Sequence, residues 1–404
     1  MKLTTFLVLF LLLAVSCVMT SAFADERKVI PSIALQQEYN DNVYFSAHSR
    51  DADFISTVSP ALELLNNTER LQAGLKMQLD SAYYHDNSNL DSTDQDYSGS
   101  LRYAVSSQAN LFTSAGYRRD SRVDREFNQT GFLLGAVTRD RYNYRLGGDY
   151  ALSEAMRAQL QYTFAGDYYE SSAYSDFKSH DLSLMISRDL SEMISRTIGR
   201  VNLGMTKYDS QGSQVTNYSG TIGAERSLDE RFSVFADLGL RFTRSAFDST
   251  HLVPSGIPFV FFVVPYEEHA EGAGISGQAG MTYNGELNNA KLVLSHGVTA
   301  ASGRNGTVER TAVQANIGRR LNETSRIGFS AGYTLNKSTQ DELGAAATDE
   351  SSLWLQPKIL YALTDQVAVE TSYNYAQLIN RQADTDACRN LVLLRLIFQY
   401  PLFE

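Results

Sequence analysis

The stretch Arg70–Tyr84, RLQAGLKMQLDSAYY, alternates without a break for most of its length. Leu71, Ala73, Leu75, Met77 and Leu79 fall on odd positions, and Gln72, Gly74, Lys76, Gln78 and Asp80 on even ones. Successive side chains of a strand point to opposite faces, so this segment has one apolar and one wet face. About ten such residues, tilted, are what a strand needs to cross an outer-membrane hydrocarbon layer. A polar loop, His85–Gln95, follows. A second alternating run then sets Tyr97, Gly99, Leu101, Tyr103 and Val105 against Ser98, Ser100, Arg102 and Ala104.

The same unit recurs along the chain. A first strand is expected at about Val29–Tyr39, a loop at Asn40–Asp53, and a returning strand at Phe54–Leu65. Short connections at Asn66–Glu69, Ser106–Gln108, Ser153-Glu154, Leu228–Arg231, Asn284-Gly285 and Leu321–Glu323 alternate with long polar ones. The longest loops are expected at Arg119–Thr138 and Ser245–Glu271. Short periplasmic turns and long extracellular loops are the habit of outer-membrane barrels, and Asn-Gly is a strong hairpin signal. The pattern predicts an all-β, antiparallel transmembrane barrel of about 18 strands, with 16 also compatible.

The N-terminus carries Met1-Lys2, an apolar run Leu3–Val15 and an A-x-A site, Ala22-Phe23-Ala24, before charged residues. This reads as a signal peptide over residues 1–24, too short in its apolar run for a span. A lipid-attachment alternative at Cys17 has the weaker motif. Cleavage after Ala24 leaves 404 − 24 = 380 residues for one barrel domain, 25–404, and only Cys388 as a thiol. Eighteen strands with their connections nearly exhaust that length, which leaves no room for both 22 strands and a plug. The longest later apolar run, Phe259–Val264, is far below the ~20 residues of a spanning helix. A net charge of −11 without a basic cluster gives no support to a nucleic-acid partner. The 23 tyrosines and 20 phenylalanines against one tryptophan suit aromatic girdles at the two membrane interfaces.

No histidine lies in a metal-binding spacing, and no cofactor motif is present. His85-Asp86 and His180-Asp181 sit near expected loop ends, but polar loop tips explain them better than a rim hydrolase. On the wet faces, Lys76, Gln78, Asp80, Arg102, Arg157, Asp237, Arg241, Lys291 and Arg395 are expected to line the lumen, with both signs in similar numbers. The most unusual segment is Leu252–Tyr266, LVPSGIPFVFFVVPY. Its prolines argue against pairing into the sheet, and so large an apolar patch is unstable on a surface. It is expected to fold over the lumen as a constriction carried by Phe259, Phe261 and Phe262.

The last strand, Leu391–Phe403, is apolar on both faces apart from Arg395 and Gln399, and it is similar to the aromatic-ended strands that barrel-assembly machinery recognises. The penultimate place of Phe403 departs from that pattern. The segments PSIALQQEYNDNVYFS (Pro31–Ser46) and DFISTVSPALEL (Asp53–Leu64), with the recurring loop, aromatic and alternating strand, resemble outer-membrane β-barrel porins found beside exopolysaccharide and exosortase loci. The resemblance implies an outer-membrane channel, with polysaccharide and periplasmic export components as partners alongside lipid. A structural or adhesive barrel without a conducting pore is the other reading.

Overall fold

The computed structural model describes residues 26–132, 135–254, 261–338 and 347–402. The expected signal peptide, Cys17 and the terminal Phe403 and Glu404 lie outside the described residues. Nine strands precede Gly212: β1 Glu26–Asn40, β2 Asp53–Asn67, β3 Leu71–Tyr84, β4 Ser92–Ala104, β5 Ala109–Asp120, β6 Arg139–Ser153, β7 Met156–Tyr169, β8 Phe177–Asp189 and β9 Thr197–Ser210. Nine follow: β10 Ser213–Ser227, β11 Phe232–Pro254, β12 Phe261–Asn284, β13 Asn288–Ala300, β14 Thr307–Arg320, β15 Ser325–Ser338, β16 Thr348–Ala362, β17 Val367–Asn380 and β18 Thr385–Gln399. One helix, α1, spans Val123–Thr130.

Each strand pairs antiparallel with its sequence neighbours, and β18 closes on β1 from Ser32↔Gln399 to Asn40↔Leu391. Closure leaves no sheet edge, the condition for β-structure in lipid, where an unpaired backbone group has no water to turn to. The alternation read in the sequence sorts the two faces. Leu111, Leu146, Ile222, Leu238, Leu240, Ile317 and Ile359 are all more than half exposed, as apolar groups meant for hydrocarbon are. Asp149, Asp237 and Arg241, on opposite-parity positions of the same wall, are buried. Near one end of the outer face Tyr97, Tyr117, Tyr142 and Tyr168 stand in a row across β4–β7, ring to ring at 6.0, 5.1 and 5.7 Å. Such a row suits a membrane interface, where a ring meets lipid and a hydroxyl meets headgroups.

Two expectations need correction. The alternation of short and long connections is not uniform. At the end that holds the β1–β2 and β5–β6 connections, β9 and β10 are joined by Gln211 and Gly212 alone, whereas the opposite end holds the seven-residue connection Leu190–Arg196. Gly212, at φ 69°, supplies the left-handed conformation that so tight a hairpin demands.

The second correction concerns Ser245–Glu271, of which Ser245–Pro254 and Phe261–Glu271 are paired strands and not loop. β11 and β12 run in continuous register from Phe232↔Tyr283 to Pro254↔Phe261. The prolines are tolerated because this ribbon outruns its neighbours. β10 leaves β11 at Ser213↔Phe247, and β13 leaves β12 at Gly277↔His296. Pro265, opposite Thr250, therefore lacks a donor where no third strand would use one. Phe261 and Phe262 pair through their backbones with Pro254 and Val253 in this ribbon, and Phe259 lies outside the described residues.

Candidate functional site: a strap across the lumen

An eighteen-strand ring leaves an aqueous channel unless something fills it. Part of that filling comes from the β5–β6 connection, residues 121–138, which the sequence reading placed among the extracellular loops. Its helix α1 begins after Arg122 and ends at Gly131, whose φ of 73° turns the chain with its N–H bonded to the Phe127 carbonyl. A glycine is required there twice over. A Cβ would lie 2.5 Å from Ser352 Oγ and 2.9 Å from Thr334 Cβ, so β15 and β16 press directly on the helix end.

One side of the strap is ionic. Glu126 is ion-paired with Arg139 and, at 2.9 Å, with Arg141; Arg141 in turn meets Asp167 at 2.6 Å, and Arg139 meets Asp120 at 3.1 Å. All come from β5–β7 except Glu126 itself. Burial alone would raise the Glu126 carboxyl, but Arg141, Arg139 and a hydrogen bond from Ser302 outweigh it and hold its pKa at about 2. Just ahead of the helix, Arg122 donates to Glu38 of β1 at 2.8 Å.

The other side is apolar. Phe127 packs with Phe45, Ala376, Leu378 and Ala387, against which Trp354 also lies. Those partners belong to β16–β18 and to the β1–β2 loop. Phe132 packs with Ala301 and Val308 and lies under the guanidiniums of Arg304 and Arg310, 4.9 and 5.7 Å from the ring centre. Asn336 of β15 donates to the Thr130 carbonyl at 2.9 Å. In the ring, β15 lies 15 − 6 = 9 strands from β6, which is the opposite wall. The strap therefore bridges the bore.

The β1–β2 loop, residues 41–52, folds inward beside it. Asn42 holds the turn through Ser46 and donates to the Cys388 carbonyl at 3.0 Å. Phe45 keeps a φ of 50°, unusual for a non-glycine, under the Arg389 guanidinium. Between this loop and the strap is a cleft of about 360 Å³ lined by Asp91, Asp94, Arg119, Arg122 and Arg389 among others.

The residues expected to line the lumen distribute as follows. Gln78 donates to Asp80 at 2.8 Å, two positions along one face of β3, on which Lys76 also lies. Arg102 pairs with Asp149, Asp237 with Arg200, and Arg241 with Glu309. Arg395 donates through two nitrogens to Gln36 Oε1, and Gln36 donates to Glu38. Arg157 and Lys291 are exposed. Among the described residues, Lys76, Gln78, Arg102, Arg157, Asp237, Lys291 and Arg395 show no hydrogen bond or ion pair to α1. The groups that hold the strap, Glu38, Arg122, Glu126, Arg139, Arg141 and Asp167, escaped the sequence reading. Its one visible signal was a short helix-compatible stretch ending in Gly131.

Among the described residues, neither His85-Asp86 nor His180-Asp181 forms a His–Asp hydrogen bond. His180 and Asp181 are consecutive in a strand and so point to opposite faces. His180 packs at a tilt against Phe164 and bonds Tyr162 on the outside, while Asp181 accepts from Thr206. His85 Nε2 lies 3.1 Å from Ser56 Oγ on an exposed edge. Among the described residues no cluster of metal ligands occurs.

Residues 28–189, from β1 through β8 and including the strap, match the sequence profile of a family described as "Putative beta-barrel porin 2". Over those residues the sequence is similar to that family. No curated protein matches it. Among solved structures it is similar to OccK2 (OpdF) of Pseudomonas aeruginosa, at 10% identity over 94% of this chain and 99% of that one, with a TM-score of 0.47. The outer membrane protein opdK of the same organism gives 10% identity, 93% and 99% coverage and a TM-score of 0.45. The ferric-catecholate import receptor Fiu of E. coli K12 gives 9%, 93% and 82%, with a TM-score of 0.47.

Proposed function

We propose that this chain is an outer-membrane channel for small polar solutes, narrowed by the α1 strap. The observation that carries the reading is a closed eighteen-strand ring with a polar inner face, crossed by one short helix anchored at both walls. A ring of this size without a strap is wide enough for hydrated solutes. A purely structural barrel has no need for a polar inner face with charged groups left exposed along it, such as Lys76 and Arg157.

Export of a long polysaccharide, which the sequence resemblance suggested, fits less well. A polymer would have to displace the strap, breaking a buried ion pair and uncovering Phe127 and Phe132. Small solutes need pass only beside it. The test is swelling of liposomes holding the purified barrel, with sugars of graded size. Arabinose should enter quickly and stachyose slowly or not at all. A heat-modifiable, correctly folded barrel that admits neither sugar would overturn the channel and leave the structural reading.

A further inference from the structure

Near the strap Arg139 and Arg141 are matched by carboxylates. At the other end of the lumen Arg102–Asp149 and Arg200–Asp237 are matched too, but the arc from β13 to β16 is not. A cleft of about 720 Å³ opens between β12 and β17 at the end that carries the Asn284–Asn288 and Arg320–Ser325 turns, together with the start of β1 and the end of β18. Short turns and strand termini mark the periplasmic end of such barrels. Its lining includes Lys291, Arg320, Arg326 and Lys358.

Strand parity puts all four on the inner face. Arg310 of β14 and Asn336 of β15 reach the strap region from even positions, so Arg320 and Arg326 share their face. Lys358 has the parity of Ser352, which abuts Gly131, and Lys291 pairs in register with Asn316 of β14. Arg320 and Arg326 are direct cross-strand partners, and Gly328, next along on the same face, pairs with Lys358. The Lys358 stem lies across Gly328, where an added Cβ would be 3.0 Å from Cε. Like charges set directly opposite each other destabilise a sheet. Yet among the described residues none of the four forms an ion pair. Of the two carboxylates in the lining, Glu286 is engaged by Arg231 at 3.3 Å, which leaves Glu370. This excess of cations stands in a chain whose net charge is −11.

We infer that the periplasmic mouth is a binding vestibule for small polyanions, solutes carrying two or more carboxylate or phosphate groups. Two guanidiniums held side by side offer forked donors to two anionic groups, and Lys291 and Lys358 add point charges on either side. A cleft lined with one sign of charge concentrates counter-ions at its mouth. Arg319, on the outer face of the same strand, is placed for headgroups, whereas the four inner cations are walled off from lipid by the sheet. A part in solute passage rests on the channel reading above; binding itself does not.

The test is calorimetric titration of the full-length barrel in neutral detergent, with citrate as probe and glucose as the uncharged control. Citrate should bind and glucose should not. The Arg320→Gln/Arg326→Gln double variant should lose at least about tenfold in citrate affinity. It should remain heat-modifiable at a temperature no lower than the parent, because a like-charge pair has been relieved. Lys358→Gln alone should weaken citrate by a smaller factor, and it keeps the inference testable if the double variant assembles poorly. Addition of phosphatidylglycerol should leave citrate affinity unchanged. Absence of citrate binding, equal binding by parent and variants, or displacement of citrate by phosphatidylglycerol, which would mark a lipid-headgroup site, each overturns the vestibule. A barrel that binds citrate but admits no sugar would overturn the channel reading and leave the vestibule standing.

Discussion

Glu126 and Phe127 are neighbours in the chain and are held by opposite walls of the barrel. The carboxylate of Glu126 is fixed by Arg139 and Arg141 of β6, and the ring of Phe127 is buried against Ala376 and Leu378 of β17. The roughly two turns of α1 thus act as a crossbar. Because each end is held by a different kind of force, the two can be loosened separately.

Glu126→Gln removes the charge that the two arginines share. Breaking one partner of a buried pair costs about 3–5 kcal/mol, and here the loss falls on strap docking and not on the wall ladder. The barrel should stay heat-modifiable, while its single-channel current becomes larger and noisier. Quiet, unchanged current would show that the ion pair does not hold the strap.

Phe127→Ala acts at the other end. Loss of a buried phenylalanine costs about 3–5 kcal/mol where the site cannot collapse. Native-state hydrogen exchange should rise across α1 with little change in β6 or β17. Equal exchange in parent and variant would mean that the ring is not the apolar anchor.

The pH dependence follows from Glu126, whose carboxyl is held at about 2 against an ordinary value of 4.5. A depressed carboxylate stabilises the docked state fully above its undocked value, and that stabilisation is lost as pH falls from about 4.5 through about 2. The difference is worth roughly 3 kcal/mol. Conductance should be flat from pH 8 to 5 and rise only in more acid solution, and Glu126→Gln should abolish the acid rise. Opening of the parent near pH 6 would contradict this account.

Leu238 is 68% exposed on the outer face of β11, and Lys76 lies on the face of β3 that carries the buried Asp80. An arginine facing lipid at mid-membrane costs about 2–4 kcal/mol. Leu238→Arg should therefore lower the assembled fraction in heat-modifiability gels, and Lys76→Leu should not. Equal behaviour of the two would mean that the faces are assigned wrongly.

Much of the wall was legible because a period of two is a local signal: Leu71 to Leu79 report their face without reference to any other strand. The strap was not legible for the opposite reason. Phe127 looks like an isolated apolar residue in a polar stretch, the short run from Phe132 to Val137 carries no strand or helix period, and the partners that bury Phe127 and Phe132, Leu378 and Val308, lie far along the chain. The Leu252–Tyr266 segment misled because prolines weigh against a strand only where a neighbour needs their N–H, and here the ribbon stands beyond its neighbours. The Arg320–Arg326 pair could have been seen, since the two flank Leu321–Ser325 symmetrically. Its meaning depended on knowing which face looks inward.

The crossbar is tested most directly by removing it. Asp120 and Arg139 are direct partners in the β5–β6 register, so a two-residue Asn-Gly turn can replace residues 121–138 without disturbing either strand. Single-channel conductance of that variant and of the parent, each purified and shown to be heat-modifiable, is the measurement. The strap account predicts a conductance several-fold higher in the shortened barrel. Equal conductance in the two would contradict it.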